Sequence, residues 1–429
     1  MRRRDAIKVL ALPALPGLAA GCGIGRSGIR VAGVWSGWEL TQFRKVLNAF
    51  PGRDSWTISV QSAGDDIAAL VGNRVAGTAA PNVALVPFPQ LVWENRDHLV
   101  PLRPATAGDT AWDRLLTIDG MVYGHWFKVA HKSLVWYRHD LLGAGPPPRD
   151  WGTWLALCRD LAGRRRPPLS IGAADGWVLT DWFENVLLSL DPATYRELAV
   201  GASTWRHPSV RRALRWLGEV WSIPGVFAGG AERALQTQFD QSLLDVFEYG
   251  RAAMVAGADF AWPVITQYTR TPQDRIKWFA FPPIDKRPVL VGGDAAVLLR
   301  PATQGGWELM RWLATARAAG RWAGAGGFLT INDPGHSVAY PPGLDARPLI
   351  DDLVLGSNGG ASVAFAFDLS DQLRGRLVGA EGRGTWKIFK DFFVEVTTPK
   401  SSGEPAADRT ERAAERAMTA LDAGARGSA

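Results

Sequence analysis

Tryptophan and carboxylate side chains stand next to one another at several points in this chain. The run Gly176-Trp177-Val178-Leu179-Thr180-Asp181-Trp182-Phe183-Glu184 is the densest case, and Trp38-Glu39 is another. A flat ring offers an apolar stacking face, and an ionised carboxylate accepts charge-assisted hydrogen bonds. Together they suit a ligand with apolar ring faces and a rim of hydroxyls, such as a sugar. Asp65 and Phe88 follow two predicted strands, and Gly292-Gly293-Asp294 and Gly326-Gly327-Phe328 are glycine pairs that let backbone approach a ligand. Each residue also has a plainer reading. Asp65 and Asp181 suit helix caps, and Asp294 after two glycines suits a turn, as do Asp368 and Asp371.

The chain has 429 residues and 20 tryptophans. Trp35, Trp136, Trp216, Trp221 and Trp312 fall on apolar strand or helix patterns and are expected in the core. Trp38, Trp177, Trp182 and Trp262 suit core and contact roles alike. No GxSxG, GxxxxGK[ST] or HExxH occurs, and His125, His131 and His139 fit no usual metal spacing. No catalytic residue, metal or cofactor is expected.

The elements that must position these residues alternate. Ile29–Trp35, Thr57–Ser62 and Asn82–Phe88 read as strands. A helix over Glu39–Phe50 and another after Asp65 or Asp66 separate them. This β-α-β-α-β series predicts a parallel, doubly wound sheet, whose ligands bind beyond the carboxyl ends of the strands. Trp38 and Glu39, Asp65, and Phe88 stand at those ends. Helices are predicted over 151–162, 181–190, 209–221, 236–249 and 303–318, and a strand pair over 289–299. The charged helix within 401–429 reads as a solvated tail with a frayed end.

The N-terminus is an export device by its pattern. Three arginines precede an apolar stretch broken by Pro13 and Pro16, too short to be a membrane span. Arg3-Arg4-Asp5-Ala6-Ile7-Lys8 resembles a twin-arginine signal, and Leu18-Ala19-Ala20-Gly21-Cys22 resembles a bacterial lipobox with Cys22 as the lipidated residue. Residues 1–21 are therefore expected to be a signal peptide and 22–28 a lipidated tether. Losing residues 1–21 removes four positive charges and one negative, so the formal +6 becomes +3. The basic balance is no sign of a nucleic-acid partner. Cys158, among Leu155, Ala156 and Leu157, is expected to be a buried, inert thiol.

Several stretches, in order, resemble the extracellular solute-binding proteins of ABC importers, in the carbohydrate-binding group that includes maltose-binding protein. They include Val71–Pro89 with Pro81-Asn82-Val83, Tyr123-Gly124-His125-Trp126-Phe127-Lys128, and Leu134-Val135-Trp136-Tyr137-Arg138-His139-Asp140. Further matches are Pro148-Arg149-Asp150-Trp151, Phe247-Glu248-Tyr249-Gly250-Arg251-Ala252-Ala253-Met254, and Phe367-Asp368-Leu369-Ser370-Asp371-Gln372. The resemblance implies an α/β fold of two discontinuous lobes joined by hinge strands near 137–142, 285–290 and 335–345. One lobe is expected from 29–138 with 289–340, the other from 139–288 with 341–429. It adds Trp126, Lys128, Asp259 and Trp262 as cleft-facing residues. It implies a monomer at the outer face of the membrane that closes on a neutral sugar, an oligosaccharide or an amino sugar and works with a permease and an ATPase. The weaker alternatives are a glycerophosphate ligand, with Lys128 or Arg251 as its cation, and a glycan-acting enzyme.

Overall fold

The computed structural model describes residues 28–72, 80–143, 145–357, 362–379, 382–399, 401 and 403–426, with the Asp65 side chain excepted. The expected export signal and Cys22 lie outside them. Strand β1 (Gly28–Gly33) pairs in parallel with both β2 (Thr57–Ser62) and β3 (Val83–Val86). A helix over Gly37–Asn48 crosses between the first two and buries Phe43, Val46 and Leu47. This is the doubly wound start that the alternating pattern predicts.

Short strands β4 (Arg103–Pro104), β5 (Thr117–Ile118) and β6 (Met121–Val122) make a small sheet of their own. Then come β7 (Gly124–His131), β8 (Leu134–Arg138), β9 (Met254–Gly257), β10 (Ile276–Ala280), β11 (Arg287–Leu298) and β12 (Val363–Phe367). The large sheet runs β12-β11-β3-β1-β2, with β7 also on β11, and the second sheet runs β10-β8-β9. Lys132 and Ser133 alone separate β7 from β8. The chain therefore passes from one sheet to the other within two residues. It returns through β11, whose first half pairs with β12 and whose second half pairs with β3.

The structure corrects three expectations. Residues 289–299 form one strand rather than a pair, with a register shift between Asp294 and Ala295 absorbing the irregularity. The segment 303–318 splits into helices Gln304–Leu313 and Ala316–Ala323, the second capped by the Thr315 side chain. The C-terminal tail is no solvated appendage. Its helix, Ala406–Arg426, buries Ala413, Ala414, Ala417, Met418 and Leu421 against helices Gly384–Thr397 and Pro208–Trp221. A charged face masks that stripe in the sequence, and Arg211 binds Glu411 and Glu415 across the contact.

Candidate interlobe site

A cavity of about 480 Å³ opens at the carboxyl end of β1, where one sheet's loops meet helices packed on the other. Trp35, Trp38, Glu39, Lys128 and Gly327 line one wall; Asp240, Phe260, Pro263, Gln267 and Tyr268 line the opposite one. Trp38 and Glu39 sit in the first turn of the helix that follows β1, so the β1 turn sets both. Gly327 has φ +63°, and a Cβ there would lie 2.8 Å from Pro263, so only glycine fits without strain.

Lys128 anchors the wall from β7. Its Nζ lies 2.6 Å from Glu39 Oε1, 5.1 Å from the Trp322 ring centroid and 5.7 Å from that of Trp35. Burial alone would push the ammonium's pKa down, but Glu39 and Asp294 outweigh it and hold the value above the ordinary lysine range. Burial pushes Asp294 up to about 7 against the pull of Lys128. Asp259 rises to about 7 for the same reason, although its Oδ1 accepts a 2.7 Å hydrogen bond from the His131 N–H. Asp240, exposed at the start of its helix, is raised by desolvation and then by Asp175 and Glu39.

A second cluster centres on Lys132, in the two-residue link between the sheets. Lys132 Nζ lies 2.8 Å from Asp181 and also binds Asp368, and its ammonium sits 5.8 Å from the centre of the Trp177 ring. Burial lowers its pKa, yet Asp181 and Asp368 carry it well above the usual value. Burial raises Asp181 to about 7 and Asp371 well above the carboxylate range, while Lys132 keeps Asp368 below it. The Trp177 ring of this cluster is 6.1 Å from that of Phe260, which lines the larger cavity.

Of the residues expected at the site, Trp38, Glu39, Lys128 and Gly327 line the cavity, with Asp259 and Asp294 buried beside Lys128. Trp177 and Asp181 belong to the Lys132 cluster. Others are placed differently. Trp126 is buried, donates its Nε1–H to the Trp112 carbonyl at 2.8 Å and packs on Phe367. Trp182 stacks on Trp154 at 5.4 Å, and Trp262 tilts against Trp136, both almost fully buried. Phe328 packs on Phe127 and Trp322. These four rings are core because their neighbours on strand and helix faces are apolar, a fact that residue type alone does not carry.

Glu184 is structural. It accepts hydrogen bonds from the Tyr195 hydroxyl at 2.8 Å, the Leu369 N–H at 2.6 Å and the Ser370 N–H at 3.1 Å. Asp181 caps nothing, since its helix starts at Gly176. Gly293 lies within β11, not a loop; a Cβ there would stand 2.8 Å from the Lys128 carbonyl, so its glycine serves the β7–β11 approach. Phe88 precedes helix Pro89–Glu94 and packs against core residues, away from the cavity. Asp65 falls in a helical turn after β2, its side chain outside the described residues.

The residue types did not single out Asp240, Phe260, Gln267, Tyr268 and Lys132. Phe260 lies between two residues that were expected there, Asp259 and Trp262, and the turn after β9 sends it to the cavity and those two inward. Tyr268 is largely exposed at the end of helix Ala261–Tyr268, a fact that residue type does not carry. Among the described residues no group of His, Cys, Asp and Glu could hold a metal ion, and no helix is long and apolar enough to cross a membrane.

Two sheets joined by short crossings, with a lined cavity at their seam, define a ligand-binding protein of the two-lobe periplasmic type. The chain belongs to the bacterial extracellular solute-binding protein family, whose model matches residues 45–335. It is similar to the osmoprotective compounds-binding protein GgtB of Synechocystis sp., with 28% identity over 86% of this chain and 89% of that one. It also resembles the alpha-glucosides-binding periplasmic protein AglE of Rhizobium meliloti, with 25% identity over 88% of this chain and 85% of the other. A solved chitin oligosaccharide binding protein shares the fold, with a TM-score of 0.67 and 15% identity over 94% of this chain and 100% of that one. The chain is thus the extracytoplasmic solute-binding component of an ABC importer.

Proposed function

We propose that this protein captures a carbohydrate in the interlobe cavity and delivers it to a membrane permease driven by an ATPase. The observation that carries the reading is the pairing of ring faces with carboxylates across one cavity: Trp38 and Glu39 on one wall, Phe260, Tyr268 and Asp240 on the other. Rings stack on a sugar face, and the carboxylates accept hydrogen bonds from its hydroxyls. Relatives named for alpha-glucosides and chitin oligosaccharides support a sugar over other solutes. The protein binds rather than catalyses in this reading.

The lobes are taken as 29–138 with 289–340 and 139–288 with 341–429, save that β8 moves to the second lobe by its pairing with β9 and β10 and β12 moves to the first by its pairing with β11. The walls of the cavity come from both, so hinge closure brings them together on the ligand. A lipid on Cys22 holds the mature chain, as a monomer, at the outer face of the cytoplasmic membrane. A glycerophosphate is disfavoured because the two cations considered for it are engaged: Lys128 by Glu39 and Arg251 by Asp245 at 3.0 Å.

The test is a thermal-shift panel of mono- and disaccharides, amino sugars and glycerophosphates, followed by calorimetry on the hits. A ligand of the native state raises the melting temperature as its concentration passes the dissociation constant. Sugars are expected to give saturable shifts. Shifts with glycerophosphates alone would overturn the reading. Incorporation of labelled fatty acid, abolished by Cys22→Ala, tests the anchor.

A further inference from the structure

The link between the two sheets, Lys132 and Ser133, is laced to the chain that returns beside it. The Lys132 N–H donates to the Leu290 carbonyl at 2.8 Å, and the Phe281 N–H donates to the Ser133 carbonyl at 2.8 Å. The Ser133 hydroxyl accepts from the Leu290 N–H, also at 2.8 Å. The Ser133 N–H donates to His131 Nδ1 at 3.3 Å, so the imidazole carries its proton on Nε2. The His131 backbone also holds the turn after β9. Its N–H donates to Asp259 Oδ1 at 2.7 Å, and its carbonyl accepts from the Asp259 N–H at 3.1 Å. Asp259 precedes Phe260, which lines the interlobe cavity. Hinge motion is absorbed by a few residues at crossings of this kind.

One carboxylate gathers the surroundings of these crossings. Asp352, on the helix Ala346–Gly356, accepts from His131 Nε2 at 3.3 Å and takes both terminal nitrogens of Arg287, at 2.5 and 2.6 Å. His131 ends β7, immediately before the link. Arg287 opens β11, on the return. The helix follows 335–345, where the third crossing is expected. Side chains from all three places therefore meet at one point. A bidentate guanidinium–carboxylate pair fixes orientation as well as distance. Burial pushes the Asp352 carboxyl up, but His131 and Arg287 outweigh it and hold the value at about 2, so the pair is ionised near neutral pH. Neither Asp352, Arg287 nor His131 lines the interlobe cavity.

We propose that Asp352 is a positioning residue for solute capture: by pinning His131 and Arg287 it sets the angle between the lobes without touching the solute. This rests on the two-lobe capture reading above and adds the residue that governs it. The hold passes from Asp352 through His131 to Asp259, and so to the cavity wall at Phe260. When it is lost, the crossings loosen and the lobes part further. The fraction of molecules ready to bind then falls, and the apparent dissociation constant rises in inverse proportion to that fraction.

The experiment uses the folded mature protein and the disaccharide that gives the largest thermal shift in the panel above. Calorimetry reads its dissociation constant, and small-angle X-ray scattering reads the radius of gyration with and without it. Asp352→Asn and Arg287→Gln are each expected to weaken binding about threefold or more. Both are expected to enlarge the ligand-free radius of gyration, while the saturated protein matches the parent. Asp351→Asn is the control, since it breaks only the exposed pair with Arg347 at 2.9 Å on the same helix; it is expected to change neither quantity. Should Asp352→Asn fold poorly, Arg287→Gln still reads the pin, because Arg287 is about a third exposed. A lower melting temperature with an unchanged dissociation constant and radius makes the network merely structural and overturns the proposal. Tighter binding, or equal weakening by Asp351→Asn, overturns it too. Failure of every sugar to bind overturns the carbohydrate reading instead, and the ligand-free radius still decides the pin.

Discussion

Lys128 Nζ stands 2.6 Å from Glu39 Oε1, joining strand β7 to the helix that follows β1 across the floor of the interlobe cavity. The lysine is nearly buried and the glutamate is more than a third exposed. The pair is therefore asymmetric, and its two halves should fail differently.

Lys128→Met removes the cation that offsets buried Asp294 and Asp259. Breaking a buried pair in this way costs roughly 3 kcal/mol. Glu39→Gln leaves Lys128 with Asp294, and the exposed partner is worth about 1 kcal/mol or less. Urea unfolding curves of the two variants should show that order. Equal losses would mean that Asp294 gives Lys128 no support.

Stability should fall as pH rises from acid toward neutrality and level off above it. Asp181, Asp259 and Asp294 titrate near 7 in the folded chain because burial disfavours their charged forms, against about 3.9 when unfolded. Between about pH 4 and 7 the folded state holds more protons than the unfolded one, so stability declines with rising pH across that window. Asp352 and Asp191 act oppositely. Their depressed values of about 2, set against burial by His131 and Arg287 in the first case and by Ser209 and Thr194 in the second, remove stability only below about pH 4. The melting temperature without ligand is expected to be higher at about pH 5.5 than at about pH 8. The reverse order would contradict these environments.

Two tryptophans of one type should give opposite phenotypes. Trp38 lines the cavity and is only half-buried, so Trp38→Ala is expected to weaken sugar binding about tenfold with little change in melting temperature. Trp182 is buried against Trp154, Trp221 and Phe281. Its replacement by alanine should cost roughly 3–5 kcal/mol of stability. Calorimetry and urea unfolding together separate the two. A binding loss from Trp182→Ala in protein that is still fully folded would return that ring to the site.

Glu184→Ala leaves the Leu369 and Ser370 N–H groups without their acceptor, while the Tyr195 hydroxyl keeps the Phe367 carbonyl at 3.0 Å. The expected loss is about 2 kcal/mol, from the two orphaned N–H groups. Glu184→Gln keeps an acceptor oxygen and should lose less. If both variants match the parent in denaturant midpoint, the loop is held by other contacts.

The chain pattern alone determined a good deal. Strand β2 and the helix beginning at Trp151 fall where the hydrophobic spacing put them, because side-chain periodicity is a local property of backbone geometry. Trp38, Glu39 and Lys128 were legible for a similar reason: the first two follow the first parallel strand, where such folds bind ligands, and the third lies in a stretch shared with a known family.

Tertiary structure decided which of several identical residue types faces the seam. Trp262 and Phe260 are two positions apart, yet one is core and the other lines the cavity, because the turn after β9 fixes their directions. Asp240, from a distant helix, joins Glu39 only when the two sheets are set side by side. Lys132 reaches Asp181 and Asp368 only because the link between β7 and β8 brings three remote segments to one point. Contacts between segments so far apart depend on how the sheets pack, and no local pattern encodes that packing.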